Sequence, residues 1–206
     1  MSIGDTLHRL DDIYPGRIIT DVLPGQATEA DWLRHTNKGQ LCELIDGHLV
    51  EKPMGIREIM LSVWTARLLY DYLDTNNIGF IVAETGSFRL KPGMLRAPDV
   101  AFIPWDKMPE RNVPALSFCD FAPDLAVEVL SLSNTHAEML AKRHDYFNAG
   151  CRLIWEVDPD LRIVTVYTSP TDRETYTDSD ALNGGDVLPG LSLEVARIFD
   201  KLPPRI

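Results

Sequence analysis

Two apolar segments of the chain each carry one carboxylate, at a place where a buried strand would be expected. Asp99 begins "DVAFIPW" (99–105), and Glu128 interrupts the apolar run in "APDLAVEVLSLSN" (122–134). A buried carboxylate without a partner is costly, and burial raises its pKa. A cation between two such acids relieves this cost. A divalent ion of the Mg²⁺ type suits the pair, since it takes oxygen ligands from one or two carboxylates and keeps waters for chemistry.

The elements that must position these acids follow from the hydrophobic pattern. Asp46-Gly47 predicts a two-residue turn in "LCELIDGHLVEKP", which pairs Glu43 with Val50. Apolar residues at helical spacing over 55–77 predict the longest helix. A second helix is predicted from about Thr135 to Ala149, ended by the following glycine.

The remaining segments are predicted as follows: strands at 79–90 (kinked at Gly86), 96–105 and 151–158, a hairpin partner at 162–169, a loop at 183–190, and a strand end running into a short helix at 191–199. The order is therefore hairpin, long helix, three strands, helix and hairpin. This order predicts an α/β (α+β) fold in which helices pack on a mixed sheet. A dinucleotide-binding layout is disfavoured because no GxGxxG follows a strand.

A set of motifs in a fixed order resembles the Uma-type restriction endonuclease family, which belongs to the PD-(D/E)XK nuclease superfamily. The motifs are "APDVAF", "PDLAVEVLS", "KRHDYFNAG" and "LIWEVDP", extended outward by "ELIDGHLVE" and "VLPGLSL". The resemblance covers roughly residues 28–199. It implies a restriction-endonuclease-like mixed β-sheet core, with a long helix and a second helix packed on it and an N-terminal hairpin.

The resemblance also assigns roles to particular residues. It places the first acid of the superfamily motif on Asp99 and the second on Glu128. The lysine that would stand two residues later is missing, because position 130 is a leucine. The resemblance places it instead on the next helix, at Lys142. Helical geometry leaves Arg143 open as the alternative cation, since it lies nearer the centre of that helix's apolar face.

The implied chemistry is hydrolysis of phosphodiester bonds in nucleic acid, with DNA as the expected substrate. Asp99 and Glu128, with the carbonyl of Val129, are expected to hold Mg²⁺ or Mn²⁺, which would polarise the phosphate and activate a bound water. Glu84, on the strand before Asp99, is a further candidate ligand.

Two more residues complete the predicted site. Lys142 would orient the attacking water or offset negative charge that develops on phosphorus. Glu43, on the first hairpin, is expected to be another acid that lines the site. A nuclease fold kept as a catalytically silent binding or assembly module is the alternative. A two-carboxylate glycosidase is disfavoured because it would leave Lys142 without a role.

Composition bounds these expectations. The chain has 206 residues and a formal net charge of −11, which disfavours a broad basic face for nucleic acid. A local basic cluster is still compatible with it, and its candidates are Arg57, Arg67, Arg89, Lys91, Arg96, Lys142 and Arg143.

Domain organisation and location are also expectations at this point. Residues 1–27 are predicted to form an arm over the domain or a partner, and residues 28–206 to form the nuclease-like domain. The arm and the loop at 106–121 could build a homodimer interface. Three scattered cysteines favour a reducing cytoplasm. No apolar run approaches the roughly 20 residues that cross a bilayer, so no membrane association is expected.

Overall fold

The computed structural model of the protein describes residues 13–83, 86–112 and 117–203. The described part contains four α-helices: α1 (Glu29–Thr36), α2 (Ile56–Leu73), α3 (His136–Asn148) and α4 (Val195–Phe199). Thr28 caps α1 and forms a capping box with Asp31, and Thr135 caps α3. Among these helices, none is both long and apolar enough to cross a membrane.

Thirteen strands in the described part form three sheets. In chain order they are β1 (Ile18–Ile19), β2 (Cys42–Ile45), β3 (His48–Glu51), β4 (Gly79–Ala83), β5 (Phe88–Lys91), β6 (Met94–Arg96), β7 (Val100–Pro104), β8 (Leu125–Val129), β9 (Leu153–Asp158), β10 (Ile163–Tyr167), β11 (Arg173–Tyr176), β12 (Ala181–Gly184) and β13 (Leu188–Glu194).

The central sheet has the strand order β11-β10-β9-β8-β7-β4. Strands β8 and β9 are parallel, and every other neighbouring pair in this sheet is antiparallel. A parallel pair needs a crossover connection, and α3 supplies it. The predicted mixed sheet is therefore confirmed. A second, antiparallel sheet has the order β1-β3-β2-β6-β5, and β12 pairs with β13 in a small third sheet.

The two faces of the central sheet differ in chemistry. One face is apolar: Val100, Val127 and Trp155 are buried in one cluster with residues of α2 and α4. The opposite face carries small or acidic side chains at the same strands, and Ala126 packs there with Tyr146 of α3. Glu128 lies on this second face, because it is two residues from Ala126 along β8.

The structure corrects the prediction that 79–90 and 96–105 are single strands. Each segment is divided between two sheets, the first into β4 and β5 and the second into β6 and β7. The division at 86 depends on glycine, because a Cβ on Gly86 would lie 1.9 Å from a Val82 side-chain carbon. Asp99 therefore lies where the chain crosses from the second sheet into the central one. This crossing brings residues of both sheets to the same place.

The predicted loop at 183–190 is also wrong, since most of it belongs to β12 and β13. The hairpin at Asp46-Gly47 and the pairing of Glu43 with Val50 are confirmed. Of the predicted N-terminal arm, residues 13–27 are described. They lie on the domain: β1 pairs with β3, and Ile13 is buried.

Candidate active site

Glu128 lies on β8 and Asp99 immediately precedes the neighbouring strand β7, and both face the same cation. The register pairs Val100 with Val127, which places Asp99 opposite Glu128 on one face. Both carboxylates are buried. The Lys52 ammonium nitrogen lies 2.7 Å from Asp99 Oδ1 and 4.0 Å from Glu128 Oε2. The two acids are therefore close enough to share one ion.

Helix α3 supplies two groups that hold the Glu128 carboxylate. Lys142 Nζ donates a hydrogen bond to Oε2 at 3.0 Å, and the Tyr146 hydroxyl donates to Oε1 at 2.9 Å. These two residues are four apart and so lie on one face of the helix. Burial raises the pKa of Glu128; Lys142 and Lys52 act against this, and the net pKa is raised. The charged form of this carboxylate is thus costly in the fold.

Asp99 is held by the backbone of the strand beside it. The Val129 N–H donates a hydrogen bond to Oδ2 at 2.6 Å. Oδ1 is buried and accepts no hydrogen bond within the described part of the chain, although the Lys52 ammonium is in ionic contact with it. Lys52 instead donates a hydrogen bond to the carbonyl of Ala97. Asp99 thus directs Oδ1 at the Lys52 ammonium, while the backbone of β8 fixes Oδ2.

Further buried charges contact Lys142 on the side away from the cavity. Glu43 Oε1 lies 3.7 Å from Lys142 Nζ, and Glu43 Oε2 accepts a hydrogen bond from Arg96 at 2.7 Å. Arg96 also binds Asp145 of α3 at 2.6 Å. Burial lowers the pKa of Lys142, but the charges of Glu128 and Glu43 outweigh it and raise the pKa. Lys142 is therefore charged at neutral pH.

These buried charges predict a particular acid response. Burial raises the pKa of Glu43, but the charges of Lys142, Arg96 and Lys52 outweigh it and lower the pKa from 4.5 to about 2. A depressed folded-state pKa stabilises the fold above the unfolded value, and this contribution is lost as pH falls from about 4.5 towards 2. It amounts to roughly 3 kcal/mol.

Glu43→Gln should therefore be less stable than the wild type at pH 7, and the difference should shrink as pH falls through that window. Urea unfolding of both proteins between pH 7 and pH 2.5 measures it. Glu128 contributes with the opposite sign, because its pKa is raised; the charge of Glu43 is one cause, so part of that cost is also removed in the variant. If the free energies of unfolding of the two proteins changed in parallel with pH, Glu43 would not be held as a buried anion.

A cavity of about 20 Å³ lies over the two acids. It is large enough for a water molecule, which needs about 10–15 Å³. Its lining includes Lys52, Asp99, Glu128, Val129 and Lys142. In the described residues, no group of three or more His, Cys, Asp or Glu side chains is arranged to hold a metal ion. Among the described side chains, an ion here would have two carboxylates as ligands, and Mg²⁺ accepts one or two carboxylates together with water and substrate oxygens.

Comparison with known proteins gives the family. The Uma2 model, described as "Putative restriction endonuclease", matches residues 29–196. The chain belongs to this family. A solved structure described as "a putative nuclease belonging to DUF820", from Anabaena variabilis ATCC 29413, is similar with a TM-score of 0.72 and 20% identity. The match covers 85% of this chain and 99% of that chain, and at this identity it shows a shared fold. No curated protein matches.

The structure brings together most of the residues predicted for this member of the Uma2 family. Asp99, Glu128 and Lys142 share one cavity, and Val129 lines it. Glu43 contacts Lys142 from the protein side of the cavity. Glu84, the remaining candidate ligand, lies outside the described residues.

Of the two cations that the sequence left open, Lys142 contacts the acid pair. Arg143 Nη1 instead lies 2.5 Å from Glu156 Oε1, and its guanidinium stacks on the ring of Tyr167 with 4.3 Å to the centroid. Helical geometry had favoured Arg143 because this residue lies nearer the centre of the apolar face of α3, and that criterion does not tell which acid of the sheet each cation will meet. The sheet beneath the helix carries a separate acid for each cation, Glu128 on β8 and Glu156 on β9.

Sequence reasoning missed Lys52, the residue in contact with both acids. A signal for it was present. Pairing of Glu43 with Val50 places both on one face of the first hairpin, and alternation puts Lys52, two residues after Val50, on that same face. Tyr146 and Arg96 were seen only as part of a helix pattern and of a basic cluster. The partner of Tyr146 is Glu128 on β8, and the partners of Arg96 are Glu43 on β2 and Asp145 on α3. These partners are distant in sequence, so local patterns do not reveal them.

Proposed function

We propose that this chain is a metal-dependent endonuclease that hydrolyses phosphodiester bonds of nucleic acid. The observation that carries the proposal is the buried pair Asp99 and Glu128, which face one cation in one cavity. Membership of the Uma2 family supports a nuclease. A pair of acids kept buried at an energetic cost is typical of functional sites rather than of stabilising ones.

The residues present fit a divalent ion of the Mg²⁺ or Mn²⁺ type. Asp99 and Glu128 supply hard oxygen donors, and Asp99 Oδ1 is buried and accepts no hydrogen bond. The ion would polarise a phosphate and lower the pKa of a bound water. The carbonyl of Val129 and the side chain of Glu84 belong to this proposal as further ligands.

The chain's own groups hold the site in a fixed geometry. The Val129 N–H and the Tyr146 hydroxyl each fix one carboxylate oxygen of Asp99 and Glu128, which leaves the other oxygens facing cations. Lys142 is charged at neutral pH, so we assign it an electrostatic role towards negative charge on phosphorus. Pre-oriented charges of this kind need no reorganisation during the reaction.

The surface charge limits how a nucleic acid could bind. Each basic residue of the expected cluster has a carboxylate partner. The partners are Asp160 for Arg57, Asp71 for Arg67, Glu29 and Asp120 for Arg89, Asp46 for Lys91, Glu43 and Asp145 for Arg96, Glu128 for Lys142, and Glu156 for Arg143. These residues do not form a groove of unpaired positive charge, which disfavours binding along a long stretch of duplex nucleic acid. DNA as substrate, a homodimer and a cytoplasmic location stay predictions.

A cleavage assay tests the proposal. Plasmid, single-stranded DNA and RNA are incubated with the protein under Mg²⁺ and under Mn²⁺, in parallel with Asp99→Ala. We expect cleavage of at least one substrate by the parent, lost in chelator and lost in Asp99→Ala. Equal cleavage by both proteins would identify a contaminating nuclease. No cleavage of any substrate by the parent would contradict the proposal.

The second candidate is a nuclease fold kept as a binding or assembly module. It is favoured by one observation, that Lys52 and Lys142 already neutralise Asp99 and Glu128. Titration with Mn²⁺ in a calorimeter separates the candidates. Absence of heat, in the wild type and in a variant without the Lys52 ammonium, would favour the module.

A further inference from the structure

Lys52 places its ammonium between the two carboxylates that the proposed function assigns to a metal ion. Its nitrogen contacts Asp99 Oδ1 at 2.7 Å and lies 4.0 Å from Glu128 Oε2. Lys142 is placed differently, since its nitrogen contacts Glu128 and Glu43. Two lysines therefore share the acid cluster, and Lys52 is the one that bridges the acid pair.

The two lysines are also attached differently. Lys142 lies in the middle of α3 and is 2% exposed. Lys52 follows the last residue of β3, and residues 53–55 connect it to α2 without regular structure. Its side chain forms part of the cavity wall and is slightly more exposed, at 8%. The lysine side chain has four rotatable bonds, so the Lys52 ammonium can leave the acids without a change in the backbone.

The charge balance of the cluster favours such a movement. Three cations face four carboxylates: Arg96, Lys142 and Lys52 face Asp99, Glu128, Glu43 and Asp145. Arg17 also lines the cavity, but Glu138 neutralises it at 2.9 Å. A divalent ion added beside Lys52 would leave an excess of positive charge, whereas exchange of the Lys52 ammonium for that ion makes the cluster neutral. Uncompensated charge is costly at this depth.

We propose that Lys52 holds the metal position in the metal-free protein, and that a divalent ion displaces its ammonium from the two acids, so that the ammonium contacts the substrate phosphate. This inference rests on the proposed function and assigns a second lysine to the same site. Lys52 then has two roles. It is a counter-ion that keeps two buried acids folded without metal, and it is a substrate-binding cation once metal is present.

Metal affinity tests the inference independently of cleavage. Mn²⁺ is titrated by calorimetry into the wild type, Lys52→Met, Lys52→Arg and, as a matched control, Lys38→Met, which removes an exposed lysine at the end of α1. We expect Lys52→Met to bind Mn²⁺ about tenfold more tightly or better, because it lacks the competing charge. Lys52→Arg keeps the charge, so it should not bind more tightly than the wild type. Cleavage should nevertheless fall in Lys52→Met.

Thermal unfolding with and without Mn²⁺ gives a second readout. Lys52→Met should melt below the wild type without metal, because Asp99 loses its cation and Glu128 keeps only Lys142, and it should gain more from Mn²⁺ than the wild type does. Equal Mn²⁺ affinity in the wild type and Lys52→Met, or weaker binding in Lys52→Met, would overturn the role of Lys52 and leave the proposed metal site standing. No Mn²⁺ binding by any of the four proteins would overturn both.

Discussion

Replacement of Glu128 by glutamine is expected to reduce cleavage by about 10³-fold, with the fold intact. A bound metal contributes several kcal/mol to transition-state stabilisation, and each 1.36 kcal/mol is tenfold in rate. Glutamine keeps the size of the side chain but removes the charge that faces Lys52 and Lys142. Single-turnover cleavage of the substrate that the parent cuts best gives the magnitude.

Stability separates this loss from simple unfolding. The pKa of Glu128 is raised, so the charged carboxylate costs stability at pH 7, and glutamine removes that cost. Lys142 still has Glu43 at 3.7 Å in the variant. We therefore expect Glu128→Gln to be at least as stable as the wild type in urea, although it is inactive. A residue kept for stability alone would give the opposite result.

Glu156→Gln is the matched control. Glu156 is the register partner of Glu128 on the adjacent parallel strand, lies on the same face, is also buried, and is also paired with a cation of α3. It differs in its partner, because Arg143 binds Glu156 while Lys142 binds Glu128. Cleavage close to that of the wild type is expected from Glu156→Gln. Equal losses in the two variants would mean that any change of charge on this face disrupts the fold.

Features of the fold that depend on nearby residues could be predicted from the sequence, whereas features that depend on residues far apart in the chain could not. The turn at Asp46-Gly47 depends on residues a few positions apart, and it was predicted correctly. The shared face of Asp99 and Glu128 followed from strand alternation together with the expected pairing of two apolar segments. Such patterns fix which way a side chain points relative to its own strand.

The division of the strands between two sheets was not predictable in this way. The segments 79–90 and 96–105 read as continuous strands, because hydrophobic alternation does not say which partner a strand will pair with. The crossing at Asp99 carries the chain from the second sheet to the central one, and it brings Lys52 of the first hairpin onto the acids. The sequence predicted one cation at the site, Lys142, whereas the described part of the structure has two. The second, Lys52, lies just after the motif "ELIDGHLVE".

The buried charges also have a consequence for stability, and Arg96 is the residue with the largest expected effect. Its guanidinium binds Glu43 at 2.7 Å and Asp145 at 2.6 Å, and all three side chains are buried. Arg96→Met keeps much of the apolar volume but leaves two carboxylates without this cation. Removal of one partner of a buried ion pair costs about 3–5 kcal/mol, so we expect a loss in that range by urea unfolding at pH 7.

Two further variants show whether this loss comes from the two carboxylates that lose the Arg96 guanidinium. Arg67→Met removes an arginine whose pair with Asp71 is exposed on α2, and it should cost less than about 1 kcal/mol. Glu43→Gln in the Arg96→Met background removes one of the two carboxylates that lost the guanidinium and should recover part of the stability. The coupling is expected because both residues belong to one contact network. A double variant less stable than Arg96→Met would mean that Glu43 stabilises the fold mainly through its contact with Lys142 rather than through Arg96.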